Sequence, residues 1–177
     1  DGWEDLVIWG MGIAEADLDA DGRPEYALTS MGDTKVQALS EDAFEDEPIY
    51  IDLAFDAGLT AHRPYAGDTS KPSTGWHAQF ADVNNDTWHD LFIAKGNVEA
   101  MPNFAAFDPD NLLLGSETGQ YREVGDRAGI ALDRRGRGGV IEDFNADGKL
   151  DLLVINREEA PSLFVNQGPL DAPSPAQ

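Results

Sequence analysis

Residues 138–156 read GGVIEDFNADGKLDLLVIN, and this stretch predicts how the chain folds. Its centre, residues 143–151, places oxygen-bearing side chains at the first, third, fifth and ninth positions of a nine-residue loop. Gly148 stands at the sixth position, where the chain must turn sharply. Apolar residues precede and follow the loop, so it is predicted to join two strands.

Such a loop suits a hard cation. Ca²⁺ takes six to eight oxygen ligands at about 2.3–2.6 Å and accepts carboxylates, amide oxygens and backbone carbonyls together. Because alternate residues of a tight loop can point inward, Asp143, Asn145, Asp147 and Asp151 are predicted to supply side-chain oxygens, and Lys149 its carbonyl. Asp, Asn and Gly are also common in turns for local backbone reasons, so a single copy leaves an acidic surface hairpin as the alternative.

The pattern occurs three times, each time before an apolar run, and this recurrence favours metal loops over acidic hairpins. We number the loop positions one to nine, beginning at Asp17, Asp82 and Asp143. The predicted ligands, with the backbone carbonyl serving at position seven, are Asp17, Asp19, Asp21, Arg23 and Glu25; Asp82, Asn84, Asp86, Trp88 and Asp90; and Asp143, Asn145, Asp147, Lys149 and Asp151.

An EF-hand is excluded by the residues that follow each loop. That motif needs a bidentate Glu at loop position twelve and a helix on either side. Position twelve is Leu28, Ile93 or Val154, each inside a run typical of a strand. The three segments are therefore predicted to be strand–loop–strand sites.

These segments resemble FG-GAP/VCBS-type repeats, the calcium-loop hairpins of integrin-like β-propellers. The wider context is similar to the propeller of the cartilage acidic protein (ASPIC/UnbV-associated) family, over residues 10–30, GMGIAEADLDADGRPEYALTS, 111–130, NLLLGSETGQYREVGDRAGI, and 135–168, RGRGGVIEDFNADGKLDLLVINREEAPSLFVNQG. The resemblance covers nearly the whole chain, to about residue 168. It implies an all-β fold, a portion of a larger propeller of about seven four-stranded blades. Two departures bear on the calcium affinity of their loops: Glu25 replaces the usual Asp at position nine, and Thr87 replaces Gly at position six.

The repeats predict the organisation of the chain. The first loop residue recurs at Asp17, Asp82 and Asp143, spacings of 65 and 61 residues, close to the roughly 40–60 residues of a four-stranded blade. Residues 1–8, DGWEDLVI, look like the second half of a further loop and its strand, so the chain is expected to be a fragment or processed form of a longer protein. The predicted segments are a truncated repeat end at 1–8, a repeat at 9–60, a connecting loop at 61–75, a repeat at 76–131 with an insertion at 95–110, a repeat at 136–168, and a tail at 169–177.

Composition restricts the function further. The net charge is −22, and ten of the 34 acids lie in the three loops, so three Ca²⁺ ions would bring the charge to −16. So acidic a chain argues against nucleic acid and anionic membrane surfaces as partners. With no cysteine, disulfides and thiolate chemistry are excluded, and no apolar run approaches the ~20 residues of a membrane span.

Catalysis has little support in the linear pattern. His62, His77 and His89 share no repeat position with a nucleophile and a base, and the acids have a simpler role in holding metal. We therefore expect a non-enzymatic, calcium-binding module with about three ions. Such loops fill at millimolar calcium, so the expected location is extracellular or periplasmic. The expected partner is a protein, with this chain as an accessory subunit of an assembly, or a polysaccharide; the alternative is the propeller domain of a polysaccharide lyase or hydrolase.

Overall fold

The computed structural model of the chain describes residues 2–4, 6–44, 47–61, 71–98 and 104–168. Within these ranges the regular secondary structure is almost entirely β-strand, as predicted, with one four-residue helix, α1. The elements are β1 Gly10–Ala16, β2 Glu25–Gly32, β3 Lys35–Leu39, β4 Tyr50–Asp52, α1 Ala54–Ala57, β5 Ser73–Ala81, β6 Asp90–Lys95, β7 Asn111–Leu114, β8 Arg122–Glu123, β9 Gly136–Glu142, β10 Asp151–Asn156 and β11 Ser162–Phe164. No helix in the described part of the chain has the length and apolar character needed to cross a membrane.

The strands form three antiparallel meanders in chain order. The first meander is β1 to β4, the second is β5 to β8, and the third is β9 to β11. A short pairing of β2 with β5, Met31 with Thr74 and Gly32 with Ser73, joins the first two meanders into one curled sheet of eight strands. The third meander is a separate three-stranded sheet.

Each predicted metal loop closes the first hairpin of a meander. The residue before position one pairs with the residue at position nine in all three hairpins: Ala16 with Glu25, Ala81 with Asp90, and Glu142 with Asp151. The strand–loop–strand prediction is confirmed, and the three loops have the same register relative to their strands.

The core lies between the meanders, and β6 contributes to both of its halves. Leu91 and Ile93 pack against the first meander, whereas Phe92 and Ala94 pack against the third. Successive side chains of a strand point to opposite faces, so a strand covered on both sides reads as a continuous apolar run. Burying each of the three large side chains contributes about 1.5–3 kcal/mol, and β6 is therefore the central strand of the fold.

One turn occurs twice, at 53–59 and at 124–130. Gly58 and Gly129 both have a left-handed backbone, with φ of 78° and 77°. The Leu59 N–H donates to Ala54 at 2.7 Å and the Ile130 N–H donates to Gly125 at 2.9 Å, five residues back in each case. The similar sequences FDAGL, residues 55–59, and DRAGI, residues 126–130, therefore share one local structure.

Two predicted strands are corrected. Residues 49–54, IYIDLA, alternate as an outer strand would and predict one there, but the strand ends at Asp52. Asp52 Oδ1 accepts the N–H groups of Val36 and Ala54, both at 3.1 Å, and turns the chain into α1. Residues 6–8, predicted as the strand leaving a truncated loop, form no strand, and the Leu6 N–H donates to the Trp3 carbonyl oxygen at 3.0 Å. Asp1 and Asp5 of that predicted loop lie outside the described residues.

The ends of β5 and β6 remote from the metal loop carry a buried polar cluster. Lys95 is fully buried, and its Nζ lies 3.4 Å from a carboxylate oxygen of Asp108, which is also fully buried. The backbone N–H of Lys95 donates to Asp110 Oδ1 at 2.8 Å. Burial raises the pKa of Asp110 to about 7. The interior thus holds charged groups that the apolar pattern does not reveal.

Candidate metal centre

The three loops have one backbone conformation. Position four has a positive φ in each loop, and so does position six, although only two of the six residues are glycine. The values are 62° at Ala20, 58° at Asn85 and 59° at Ala146, then 85° at Gly22, 78° at Thr87 and 84° at Gly148. Residues other than glycine rarely adopt this region, so the shared geometry is imposed by interactions within the loops.

Those interactions are side-chain hydrogen bonds to backbone N–H groups. In the third loop the Asp143 carboxylate accepts from Asp147 at 3.1 Å and from Gly148 at 2.8 Å, and Asn145 Oδ1 accepts from Asp147 at 2.9 Å. Asp147 Oδ1 accepts the Lys149 N–H at 2.9 Å. The other two loops make the same four bonds at 2.7–3.1 Å. The side chains at positions one, three and five therefore turn toward the centre of each loop.

The first loop brings carboxylate oxygens of Asp17, Asp19 and Asp21 within 4.8 Å of one another, and all three residues are exposed. Two oxygens bound to one Ca²⁺ are at most about 5 Å apart, so a single cation of that size could contact all three carboxylates. Asn84 and Asn145 hold position three of the other loops, where their amide oxygens make the bond that Asp19 makes in the first. Carboxylates mixed with an amide oxygen are donors that this ion accepts.

The acids at position nine are buried at the start of β2, β6 and β10. Glu25 accepts the Leu18 N–H at 2.7 Å, and Asp90 accepts those of Val83 and Gly115, both at 2.9 Å. Burial raises the pKa of Glu25, and it raises the pKa of Asp90 to about 7. The longer Glu25 side chain does not join the three-aspartate cluster of its own loop.

Asp151 supplies the clearest sign of a missing partner. One of its oxygens accepts the Asn166 N–H at 2.8 Å, whereas the other, Oδ2, is buried without a hydrogen-bond partner among the described residues. A buried carboxylate oxygen is costly unless it is hydrogen-bonded or coordinates a metal ion. The chemistry of this donor set therefore fits a divalent cation.

At position seven the side chains differ between loops. Arg23 pairs with Asp21 and Lys149 pairs with Asp147, each at 2.5 Å, whereas Trp88 carries no charge. Each cation holds the pKa of its aspartate below the usual range, chiefly through the side-chain hydrogen bond. The first and third loops thus carry a partial internal counter-charge that the second loop lacks.

Sequence reasoning missed Asn166, which follows β11. Its side-chain amide donates to Val83 O at 2.8 Å and to Leu150 O at 3.1 Å, and so ties the second metal loop to the third. Gly115 follows β7 in the same way and donates to Asp90. The only signal in sequence is position: Gly115 stands one place, and Asn166 two places, after the third strand of its meander.

The two histidines in the described ranges lie at different places in the second meander, His77 within β5 and His89 directly before β6. His77 Nε2 is buried without a hydrogen-bond partner there, and burial lowers its pKa. His89 lines a small cavity beside Trp88 and Tyr121. His62 lies outside the described residues. Neither described histidine is hydrogen-bonded to a serine or a carboxylate of the described chain.

No protein-family model matches the chain, and no curated protein matches it. The repeated geometry of the three loops is what favours a metal centre. Fifteen predicted ligands lie in those loops, and the structure brings the side chains of positions one, three and five together in each.

Proposed function

We propose that this chain is a calcium-binding module of β-propeller type, exported from the cytosol, with a binding or structural role and no catalytic one. One observation carries the proposal: three loops of different sequence share two left-handed positions and four hydrogen bonds, and all of them aim oxygens inward. Three unrelated surface turns would not be expected to share the same backbone angles and the same hydrogen bonds. The carboxylates at positions one and five would hold the ion, with the side-chain oxygen at position three, the carbonyl at position seven and, in the second and third loops, the acid at position nine. Glu25 lies outside the carboxylate cluster of the first loop.

Calcium suits these loops better than magnesium. Mg²⁺ demands near-ideal octahedral geometry at about 2.0–2.1 Å and keeps much of its water, whereas Ca²⁺ tolerates many flexible oxygen ligands. Each loop offers three or four acids within nine residues. A bound ion offsets their repulsion in a chain of net charge −22.

The expected affinity supports an exported location. Calcium modules outside the cell bind with a Kd of about 10⁻⁴–10⁻³ M, so such sites fill at millimolar calcium and stay mostly empty in the cytosol. An ion that binds only the folded chain stabilises it by about 2.7 kcal/mol when its concentration is 100 times the Kd. Metal binding would thus make the module more stable where calcium is millimolar than it is in the cytosol.

The arrangement of the meanders supports the propeller. The second meander packs one face on the first and the other face on the third, as successive blades do. We propose a protein or a polysaccharide as the partner because the repeats resemble those of FG-GAP/VCBS-type propellers. A long connection such as residues 96–110 between β6 and β7 is the kind of loop that carries specific contacts.

Thermal unfolding combined with isothermal calorimetry tests the metal site. The chain is measured in EDTA, in millimolar Ca²⁺ and in millimolar Mg²⁺. We expect about three Ca²⁺ ions bound and a rise in Tm that Mg²⁺ does not reproduce. Equal Tm values in EDTA and calcium, with no heat of binding, would make the loops acidic hairpins and end the proposal.

A further inference from the structure

A lysine and an aspartate face each other inside the second meander, at the end remote from its metal loop. Lys95 is the last residue of β6, and Asp108 precedes β7. Both side chains are fully buried, and Lys95 Nζ lies 3.4 Å from Asp108 Oδ2. The fold therefore places an amine and a carboxyl group in contact away from water, and the proposed calcium sites do not involve either group.

The surrounding backbone holds both residues in place. The Lys95 N–H donates to Asp110 Oδ1 at 2.8 Å. The Asp108 N–H donates to Arg134 O at 3.0 Å. Gly136 of β9 packs over the site, since a Cβ there would stand 2.5 Å from Asp110 Oδ1 and 3.1 Å from backbone atoms of Lys95. Groups that are held in contact by their surroundings lose little further freedom when a bond forms between them.

The two side chains are poorly satisfied as an ion pair. Neither carboxylate oxygen of Asp108 has a hydrogen-bond partner among the described residues. Lys95 Nζ donates to Ser73 Oγ at 3.3 Å. A buried ion pair offsets its desolvation only when its geometry is good and further hydrogen bonds satisfy the remaining lone pairs. An uncharged linkage between the two side chains would remove that cost.

Burial also favours the uncharged form of the lysine. It lowers the pKa of Lys95, and this effect exceeds the opposing attraction of Asp108. Burial raises the pKa of the neighbouring Asp110 to about 7, so below neutral pH this acid is largely protonated and gives the ammonium little support. A desolvated, uncharged lysine amine is a nucleophile. The site thus presents a nucleophilic nitrogen to a carboxyl group.

We propose that Lys95 and Asp108 condense to form an intramolecular isopeptide bond, which joins the end of β6 covalently to the segment before β7. A proton first moves from the ammonium to the carboxylate, and this transfer gives an amine and a carboxylic acid. The Nζ lone pair then attacks Cγ, so that a C–N bond forms and one C–O bond breaks. The released oxygen leaves as water with the acid proton and one amine proton, and the other amine proton remains on the amide.

The pair supplies every atom of this reaction, so no oxidant, reductant or further reactant is needed. Exclusion of bulk water from the site protects the product from hydrolysis. The proposal goes beyond calcium binding and does not depend on it.

Mass spectrometry of the unaltered chain tests the bond. We expect the chain, incubated at neutral pH until its mass is constant, to be lighter than its sequence mass by one water molecule. Trypsin cuts after Lys and Arg unless proline follows, so the denatured chain without the bond gives separate peptides 36–95 and 96–122. With the bond, trypsin cannot cut after Lys95, and we expect a single peptide 36–122 that is lighter by one water molecule.

The partly exposed ion pair of Lys35 and Asp52 is the internal control. Its atoms lie closer together, at 3.0 Å, but solvent reaches both side chains, so trypsin should cut after Lys35 in the same digest. The variants Lys95→Arg and Asp108→Ala should each have their full sequence mass.

An unaltered chain at its full sequence mass would overturn the proposal. Loss of water together with release of peptide 96–122 would overturn it too, because the water would then have been lost at another site. Both measurements use the unaltered chain, so they hold even where a variant fails to fold.

Discussion

Thr87 and Gly148 occupy the same place in two loops and have nearly the same left-handed backbone, with φ of 78° and 84°. In each loop the N–H of this residue donates to the position-one carboxylate, at 2.7 Å for Thr87 and 2.8 Å for Gly148. A β-branched residue in this conformation is strained, so the hydrogen bonds to Asp82 hold it there against its own preference.

Exchanging these two residues measures that strain. Thr87→Gly should raise the free energy of unfolding by about 1 kcal/mol, and Gly148→Thr should lower it by about the same amount. No described atom lies within 4 Å of a Cβ added at Gly148, so the cost there is conformational and not steric. Urea unfolding in EDTA gives both values. The control is Thr118→Gly, at an exposed turn residue that has no positive φ. A Thr87→Gly variant that is less stable than the parent would contradict the strain at Thr87.

Removing one position-one acid should remove one calcium site. Asp17→Asn, Asp82→Asn and Asp143→Asn each keep one side-chain oxygen acceptor but lose the charge and the second acceptor. Calorimetry should show the number of bound ions fall from about three to about two in each variant, with the rise in Tm on adding calcium reduced by roughly a third.

The exposed acid Glu117 lies outside the loops, and Glu117→Gln should leave both quantities unchanged. If all three loop variants kept the parent stoichiometry, the ions would be bound elsewhere.

Asn166→Ala should uncouple the second and third loops. It removes the donors to Val83 O and Leu150 O and the acceptor for the Gly168 N–H, which lies at 2.8 Å. Leaving part-buried backbone groups unsatisfied costs about 1–3 kcal/mol, so the variant should lose roughly 2 kcal/mol of stability in urea unfolding. The neighbouring Gln167→Ala removes only an exposed bond to Val165 O and should change stability by less than about 0.5 kcal/mol. Similar losses for the two variants would refute a special role for Asn166.

Asp110 makes the chain less stable as the pH rises. Its pKa in the folded chain is raised to about 7 from the usual 3.8, so the folded state holds a proton that the unfolded state releases. Stability is therefore lost progressively between about pH 4 and pH 7, and the loss is complete above pH 7. Asp110→Asn keeps an acceptor for the Lys95 N–H but cannot ionise. Its stability relative to the parent should rise by roughly 2 kcal/mol between about pH 4.5 and pH 7.5, measured by urea unfolding in EDTA. A difference that stays constant with pH would count against a raised pKa.

Local patterns predict most of the strands. The leading and following strands of all three loops form where the alternation and apolar runs place them, because backbone pairing across a short loop needs only neighbouring residues. The errors fall where local hydrogen bonds replace strand pairing. Asp52 ends β4 early because its side chain accepts two backbone N–H groups, and the Leu6 N–H donates to the Trp3 carbonyl oxygen.

Some residues of the candidate site could likewise be predicted from sequence, and others could not. Loop positions one, three and five could be predicted because each contacts residues only two to five places away. Asn166 acts on Val83, 83 residues earlier, and no spacing rule reaches so far. The buried Lys95 and Asp108 were likewise invisible, since a charged residue in sequence is expected at the surface.

The β class and the three loops could be read from sequence, because loop conformation is a property of a few adjacent residues, whereas the bound ion is a proposal. How the meanders pack, and that Asn166 joins two loops, became known from the folded structure alone. Those features depend on contacts between residues distant in the chain, and such contacts exist only once the sheets have come together.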